Sequence, residues 1–327
     1  MHLELVVPAL FAGASEVRLP AAELLLARAR RTTTEPATLE RWLARAFGLA
    51  EESLPWGALT ALAAGAEPGA HVWLRADPVH LRAGMNSLSL VPAAALGITD
   101  AEARALAEAV NRHFAGRFTV AVADASHWAL RAEREVLLYA RSPIELAGRE
   151  VNANLPSGPD AARWHALLNE VQMLLHDHPV NAARELPVNS LWFWGAGRLP
   201  REARGPWESV TAADPALAGL ATLAGMRHRA VPEGAREWLA HAPASGRHLL
   251  VLDALSVAQA LGDAQRLAAA AEALERDWFA PLLAALRAER VGMVTVHVPE
   301  AGRAFETVRG DLRRFWRRPR PLAMYES

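Results

Sequence analysis

The sequence predicts an α/β protein, a parallel sheet with helices on both faces that is interrupted by an α+β middle domain. Three observations carry this. Beyond residue 200, short apolar runs at 248–252 and 291–298 read as buried strands flanking one long Ala/Leu/Arg helix over 263–290, the alternation expected of a parallel sheet covered on both faces. Between 71 and 200 the texture changes to short alternating strands broken by turns, which predicts antiparallel pairing. The chain opens on a short run, residues 2–7, stopped by Pro8, which fits a first strand. Boundaries are expected near 70 and 200, giving segments 1–70, 71–200 and 201–327.

Residues 20–31 and 39–47 read as amphipathic helices, the second after a Thr-rich loop ending at Pro36, and 55–69 as a helix leaving into the Pro68-Gly69 turn. HVWL, HLRAG and NSLSLV are three short strands. Thr99 and Glu102 have the spacing of a capping box that opens a helix running to about His113. Residues 118–122 and 128–131 alternate like two paired strands. The segment 158–176 is a helix with Pro159 and Asp160 at its start and Trp164, Leu167, Leu168, Val171, Leu174 and Leu175 on one face. Further helices are expected at 215–225 and 233–241.

Composition bounds the function. A chain of 327 residues can build a large core. Its formal net charge of -1 gives no general electrostatic reason to sit on nucleic acid or anionic lipid. Although 52% of residues are hydrophobic, much of this is alanine in helical runs, and no stretch has the apolar length of a membrane span. There is no cysteine, so disulfides, thiolate metal sites and a cysteine nucleophile are out. The first residues, MHLELVVPALF, lack the pattern of a signal peptide, so a cytoplasmic location is the expectation.

The most chemically mixed stretch is HPVNAARELPVNSLWFWGAGRLP, residues 178–200. Amides at Asn181 and Asn189, a cation at Arg184, the indole of Trp194, the permissive Gly195 and Gly197 and the terminal Arg198 are the candidate contacts of a small anionic ligand. Glycines let main-chain N–H groups approach a ligand, and a guanidinium can fork onto a carboxylate or phosphate. The same letters also describe a strand with aromatic packing closed by an ordinary turn.

The segments LRADPVHLR (74–82), LGITDAEARALAEAVNRHF (96–114), LPSGPDAARWHALLNEVQMLLHDHPVN (155–181) and NSLWFWGAGRLP (189–200), with GLATLAGM (219–226) after them, resemble the archaeal-type class of cofactor-independent phosphoglycerate mutase in the alkaline-phosphatase superfamily. More closely still, the chain resembles the bacterial RpfE-type regulatory proteins. The resemblance implies an alkaline-phosphatase-like core carrying the middle domain as an insert. It also implies two divalent metals, held by an N-terminal Asp, a Ser nucleophile, an Asp-x-x-x-His pair and a late Asp-His dipeptide. Laid over this sequence, the first Asp falls near Pro8, the Asp-x-x-x-His pair on Ser256 and Ala260 with Asp253 and Asp263 flanking, and the late dipeptide keeps only His297. The expectation is therefore a non-catalytic regulatory protein with no catalytic residue, no metal and no cofactor. Its expected partners are a small phosphorylated or anionic ligand or another protein; an active mutase or metal-dependent phosphatase with replaced ligands is the alternative.

Three smaller groups complete the reading. His176-Asp177-His178 resembles a metal pair but sits at a helix end, where histidine also suits the negative helix terminus. Trp73, Asp77, His80 and Arg82 form a polar group that fits either a structural ion pair or substrate contacts. RRFWRRPRP, residues 313–321, is the one dense basic patch. It is expected as a helical turn with Phe315 and Trp316 packed inward, leading to a final strand at 322–325, although basic residues interleaved with aromatics can also bind phosphates or bases.

Overall fold

The computed structural model describes residues 1–13, 17–49, 54–84, 88–147 and 149–326. The chain forms two compact units, one of Met1–Glu52, Arg204–Ala213 and Ala224–Ser327, the other of Ser53–Ala203 and Asp214–Leu223. In chain order, the strands among the described residues are β1 His2–Val6, β2 Arg30–Thr33, β3 Val72–Ala83, β4 Leu88–Pro92, β5 Phe118–Val122, β6 Trp128–Ala132, β7 Ser190–Gly197, β8 Ser209–Thr211, β9 Arg227–Arg229, β10 Arg247–Val251, β11 Met293–Val298 and β12 Arg303–Val308.

The first unit is built on a seven-stranded sheet of order β2-β12-β11-β1-β10-β8-β9. The strands from β11 to β9 run parallel, and β12 and β2 close one edge antiparallel. The period-2 alternation of HLELV sorts its residues between two faces. Leu3 and Leu5, in register with Leu250, Val294 and Val296, join the apolar core around Trp238, Phe279 and Leu282. His2 and Glu4 point to the other face, beside Arg247, Thr295 and His297. There the ring of Trp42, on the helix Leu39–Ala46, lies 5.0 Å from that of His297.

Several expectations are corrected in this unit. The helix at residue 20 ends at Arg28, and the β-branched Thr32 and Thr33 continue as β2, paired with β12. The long helix is three pieces, Ala264–Ala273, a π-helical turn at Leu274–Phe279 and Ala280–Arg287. Pro281 has no N–H to return to the preceding turn, a common cause of such a bulge. At the C-terminus, Phe315 and Trp316 are not packed inward but stand 77% and 66% exposed, and residues 322–325 form a 3-10 turn rather than a strand. Pro319 and Pro321 deny this segment both helix and ladder bonds, and the buried Leu322 and Tyr325 anchor it instead.

The second unit contains the antiparallel sheet β4-β3-β6-β5, with β7 also paired to β3. HVWL and HLRAG belong to one twelve-residue strand, β3, that runs through Pro78. Pro78 falls between the stretch paired with β6 and the stretch paired with β4, where that ladder is interrupted. The LSLV part of NSLSLV is β4; residues 86 and 87 lie outside the described residues. The capping box at Thr99 and Glu102 is formed, and β5 pairs with β6 as expected. The helix Ala161–His176 lays Trp164 against Phe193 of β7, with ring centroids 5.0 Å apart. The helix Trp56–Ala63 packs on the helix Pro215–Leu223 so closely that a β-carbon at Gly219 would strike the carbonyl oxygen of Leu59.

Candidate functional site

A buried cluster of charge in the second unit is assembled around β3 and β7. Arg75 and Asp77 are two residues apart on β3 and therefore share a face. In the register of β7, Arg75 lies opposite Trp194 and Asp77 opposite Trp192. Arg75 is fully buried; its Nε donates to Asp77 Oδ1 at 2.8 Å, and its Nη1 donates to both Asp214 oxygens at 3.2 Å and to Thr60 Oγ1 at 3.3 Å. The guanidinium carbon stands 5.2 Å from the Trp194 ring centroid. Trp194 Nε1 donates to Asp77 Oδ2 at 2.8 Å, and the Trp128 N–H donates to Asp77 Oδ1 at 3.2 Å. Asp214 precedes Pro215 at a helix start, and its Oδ1 accepts the N–H of Ala216. His127, on the loop before β6, completes the group: its Nδ1 meets Asp124 at 2.8 Å and its Nε2 lies 3.8 Å from Asp214 Oδ2.

The electrostatics of the group follow from burial opposed by charge. Burial and the neighbouring Arg75 push His127 down, but Asp214, Asp124 and Asp77 together raise it above its ordinary value. Burial pushes Asp214 up, and Arg75 and His127 overcome it to hold the carboxyl low. Asp124 is likewise held low against burial by His127. Arg75 would lose charge by burial alone, and its two carboxylates fix it as a cation. The three carboxylates around the ring thus favour its protonated form against burial and Arg75.

The residues singled out from 178–200 are placed individually and not gathered around one cavity. Asn181 is buried, with its Nδ2 donating to the carbonyls of Leu175 and Val188 and its Oδ1 accepting from the Val188 N–H. Asn189 clamps the main chain of Leu81, accepting at 2.7 Å and donating at 2.9 Å. Arg184 donates to Glu102, to the carbonyl of Leu96 and to that of Leu186. Gly195 has a left-handed φ of 59°, and a β-carbon there would lie 2.7 Å from Trp56 Cβ; Gly197 lies against Pro55 in the same way. Arg198 is half-exposed and pairs with Glu135. Trp194 alone of these belongs to the charged cluster.

Of the second polar group, Asp77 is in the cluster, while Trp73 bonds the carbonyl of Pro68, His80 that of Pro187, and Arg82 is exposed. Arg75, His127 and Asp214 were not singled out from the sequence. The available signals were the Arg-x-Asp spacing inside an apolar strand and an Asp before the Pro that opens a helix.

In the first unit, the positions that the resemblance would make metal ligands lie at the C-terminal ends of the parallel strands: Pro8 after β1, Asp253 with Ser256 and Ala260 after β10, and His297 near the end of β11. Ser256 Oγ donates to the carbonyl of Asp253 at 2.8 Å. Asp263 accepts the N–H groups of Gln265 and Arg266 at the start of the next helix. His297 Nε2 meets Glu4 Oε2 at 3.1 Å, and Glu4 Oε1 accepts Arg247 Nη2 at 2.6 Å and Nε at 3.0 Å. Burial pushes the Glu4 carboxyl up, yet the bonds from His297 and Arg247 bring it down to about 2. Among the described residues no three His, Asp or Glu side chains are arranged to hold a metal ion. Hard divalent cations require several oxygen or imidazole donors around one point, so this donor set does not fit a two-metal centre; the buried carboxylate is matched by a guanidinium. His176 and Asp177 are both exposed, 4.0 Å apart.

No protein-family model matches the sequence. Among curated proteins, a probable 2,3-bisphosphoglycerate-independent phosphoglycerate mutase of Geobacter sulfurreducens is 37% identical over 65 residues, 19% of this chain and 16% of the relative. The corresponding mutase of Methanothrix thermoacetophila is 30% identical over 145 residues, 41% of this chain and 36% of the relative. One from Methanothermobacter thermautotrophicus is 29% identical over 147 residues, 41% and 37% of the two chains. The matches thus span little more than a third of these relatives at most. A solved protein of Pyrococcus horikoshii superposes with a TM-score of 0.55 at 13% identity, over 94% of this chain and 87% of that one. A solved cofactor-independent phosphoglycerate mutase of Thermoplasma acidophilum gives a TM-score of 0.47 at 18% identity, over 94% and 90% of the two chains. The chain is therefore a mixed α/β protein whose homologues, at low identity and over part of its length, are cofactor-independent phosphoglycerate mutases.

Proposed function

We propose that this chain is a non-catalytic, regulatory relative of the cofactor-independent phosphoglycerate mutases, of the RpfE type, with the alkaline-phosphatase-like core retained and its metal chemistry lost. The observation that carries the reading is the state of the strand ends in the first unit. Pro8, Ser256 and Ala260 stand where the resemblance calls for metal-binding side chains, and proline and alanine have no donor to offer. His297, which survives, is spent on Glu4. Two-metal phosphoryl transfer works by neutralising charge on the transferred group, and Pro8 and Ala260 have no donor for that part.

The ligand half of the proposal, a small phosphorylated or anionic molecule, rests on Arg198. It is half-exposed and, among the described residues, is engaged by the exposed carboxylate of Glu135, an arrangement that an incoming anion can displace at little cost. Asn181, Asn189 and Arg184 are each engaged with neighbouring main chain or Glu102. The test is a mutase and phosphomonoesterase assay across Mn, Mg, Zn and Co, run on protein whose metal content is measured. No turnover with any ion and substoichiometric metal are expected. Stoichiometric metal with metal-dependent turnover of phosphoglycerate would overturn the proposal in favour of an active enzyme with replaced ligands. Arg198→Ala separately tests the ligand, and unchanged phosphoglycerate binding in that variant removes this half.

A further inference from the structure

The first unit carries a concave groove of about 870 Å³, apart from the strand ends. Six arginines line it, Arg30, Arg31, Arg314, Arg317, Arg318 and Arg320, together with Trp316 and Tyr325, and no carboxylate does. Two of the six are compensated from outside the lining: Arg30 pairs with Glu306, and Arg314 with Asp311 at 2.7 Å. Arg31, Arg317, Arg318 and Arg320 are exposed and have no carboxylate within 4 Å among the described residues. The protein's overall charge of -1 therefore conceals a strongly positive patch, and it is the local field that an approaching anion meets.

The groove is held rather than loose. Arg317 Nη1 donates to the carbonyl of Ala29 at 2.7 Å, and Arg314 Nη1 to that of Arg28 at 3.1 Å. Arg31 stacks over Tyr325, 5.1 Å from its ring centroid. The Tyr325 hydroxyl accepts the Arg320 N–H at 3.1 Å and donates to the carbonyl of Glu23 at 3.4 Å. Pro319 and Pro321 keep the chain between these anchors extended. Burying Phe315 and Trp316 would be favourable, yet both are exposed, in edge-to-face contact with ring centroids 5.2 Å apart. Exposed aromatics inside a field of arginines present π-faces and phosphate-binding forks side by side.

We propose that this groove binds single-stranded nucleic acid, the arginines following the phosphates and Trp316, with Phe315 beside it, stacking on bases. A lone phosphate would satisfy one or two guanidinium groups and leave the rest of a groove this size unused. A flat anionic bilayer would meet only its rim. Unpaired bases offer both the charge and the flat faces that this lining matches.

The experiment is fluorescence anisotropy of the full chain with a labelled single-stranded oligonucleotide of about ten nucleotides, in DNA and RNA form, at several salt concentrations. Binding should weaken steeply with salt, log K falling by about 0.7 per phosphate contact for each unit of log salt. The double variant Arg318→Gln/Arg320→Gln should lose affinity about tenfold or more and flatten that slope by about 1.4. Trp316→Ala, at an exposed position that leaves the fold unchanged, should lose about tenfold by removing the stacking face. Circular dichroism and thermal melting of both variants should match the parent. Inorganic phosphate, a mononucleotide and vesicles of phosphatidylserine and phosphatidylcholine are the competing probes. The proposal is overturned by binding that is absent or insensitive to salt, by a Trp316→Ala variant of parental affinity, or by vesicles or phosphate outcompeting the oligonucleotide. Because the groove shares no residue with Arg198 or the strand ends, these outcomes are independent of the metal and turnover assays.

Discussion

Arg75→Met is the sharpest perturbation that the second unit offers. Methionine keeps much of the volume and removes one buried charge with four hydrogen bonds: one to Asp77, one to Thr60 and two to Asp214. What remains is the cost. Asp77, 4% exposed, keeps the bonds from Trp194 and Trp128 but loses its counter-charge, and Asp214 is left with His127 at 3.8 Å. Removing one partner of a buried ion pair typically costs about 3–5 kcal/mol, because the other charge stays behind in a poor solvent. The same change has a spectroscopic sign. Arg75 opposes protonation of His127, so its removal should raise the His127 pKa further.

Urea unfolding followed by tryptophan fluorescence measures the first effect, and histidine-resolved NMR titration the second. A loss below about 1 kcal/mol, the range of an exposed pair, would refute the reasoning, as would a His127 pKa that falls. Adding Asp214→Asn to Arg75→Met should recover part of the loss, and the interaction energy of that cycle should exceed about 1 kcal/mol.

Other tests act on separate parts of the fold. Glu4 has a folded pKa of about 2 against an ordinary value of 4.5, so its contribution is complete above 4.5 and lost as pH falls toward 2. About 2 kcal/mol of stability should disappear between pH 6 and pH 3 and be missing from Glu4→Gln, as read by urea midpoints at those two pH values. Asn189→Ala should cost about 1–3 kcal/mol by stranding both main-chain groups of Leu81, whatever it does to ligands. Gly219→Ala should cost about 1–3 kcal/mol by driving a β-carbon into the Leu59 carbonyl, visible as a lowered Tm.

The patterned parts of the fold were legible. Parallel strands at β10 and β11, the capping box at Thr99 and the β5–β6 pair follow from periodicity and spacing, which are local properties. The rest depends on partners distant in sequence. β2 is a strand because β12 lies beside it, more than 250 residues later. Phe315 and Trp316 look like core residues by type, and only the prolines after them and the anchors at Ala29 and Glu23 explain why they stand in solvent. The charged cluster was half legible: Asp77 and Trp194 stood out, whereas Arg75, Asp214 and His127 acquire their meaning when β3, a helix start and a loop converge.

That convergence bears on what kinship with the mutases can carry. The segments LRADPVHLR and NSLWFWGAGRLP, both part of the resemblance, are partners in one antiparallel ladder: Asp77 faces Trp192, and Arg75 faces Trp194. Their notable residues bond one another and the nearby main chain, with Asn189 clamping Leu81 and Trp194 holding Asp77. A substitution at Arg75, Asp77, Asn189 or Trp194 breaks a buried bond and is penalised by stability alone.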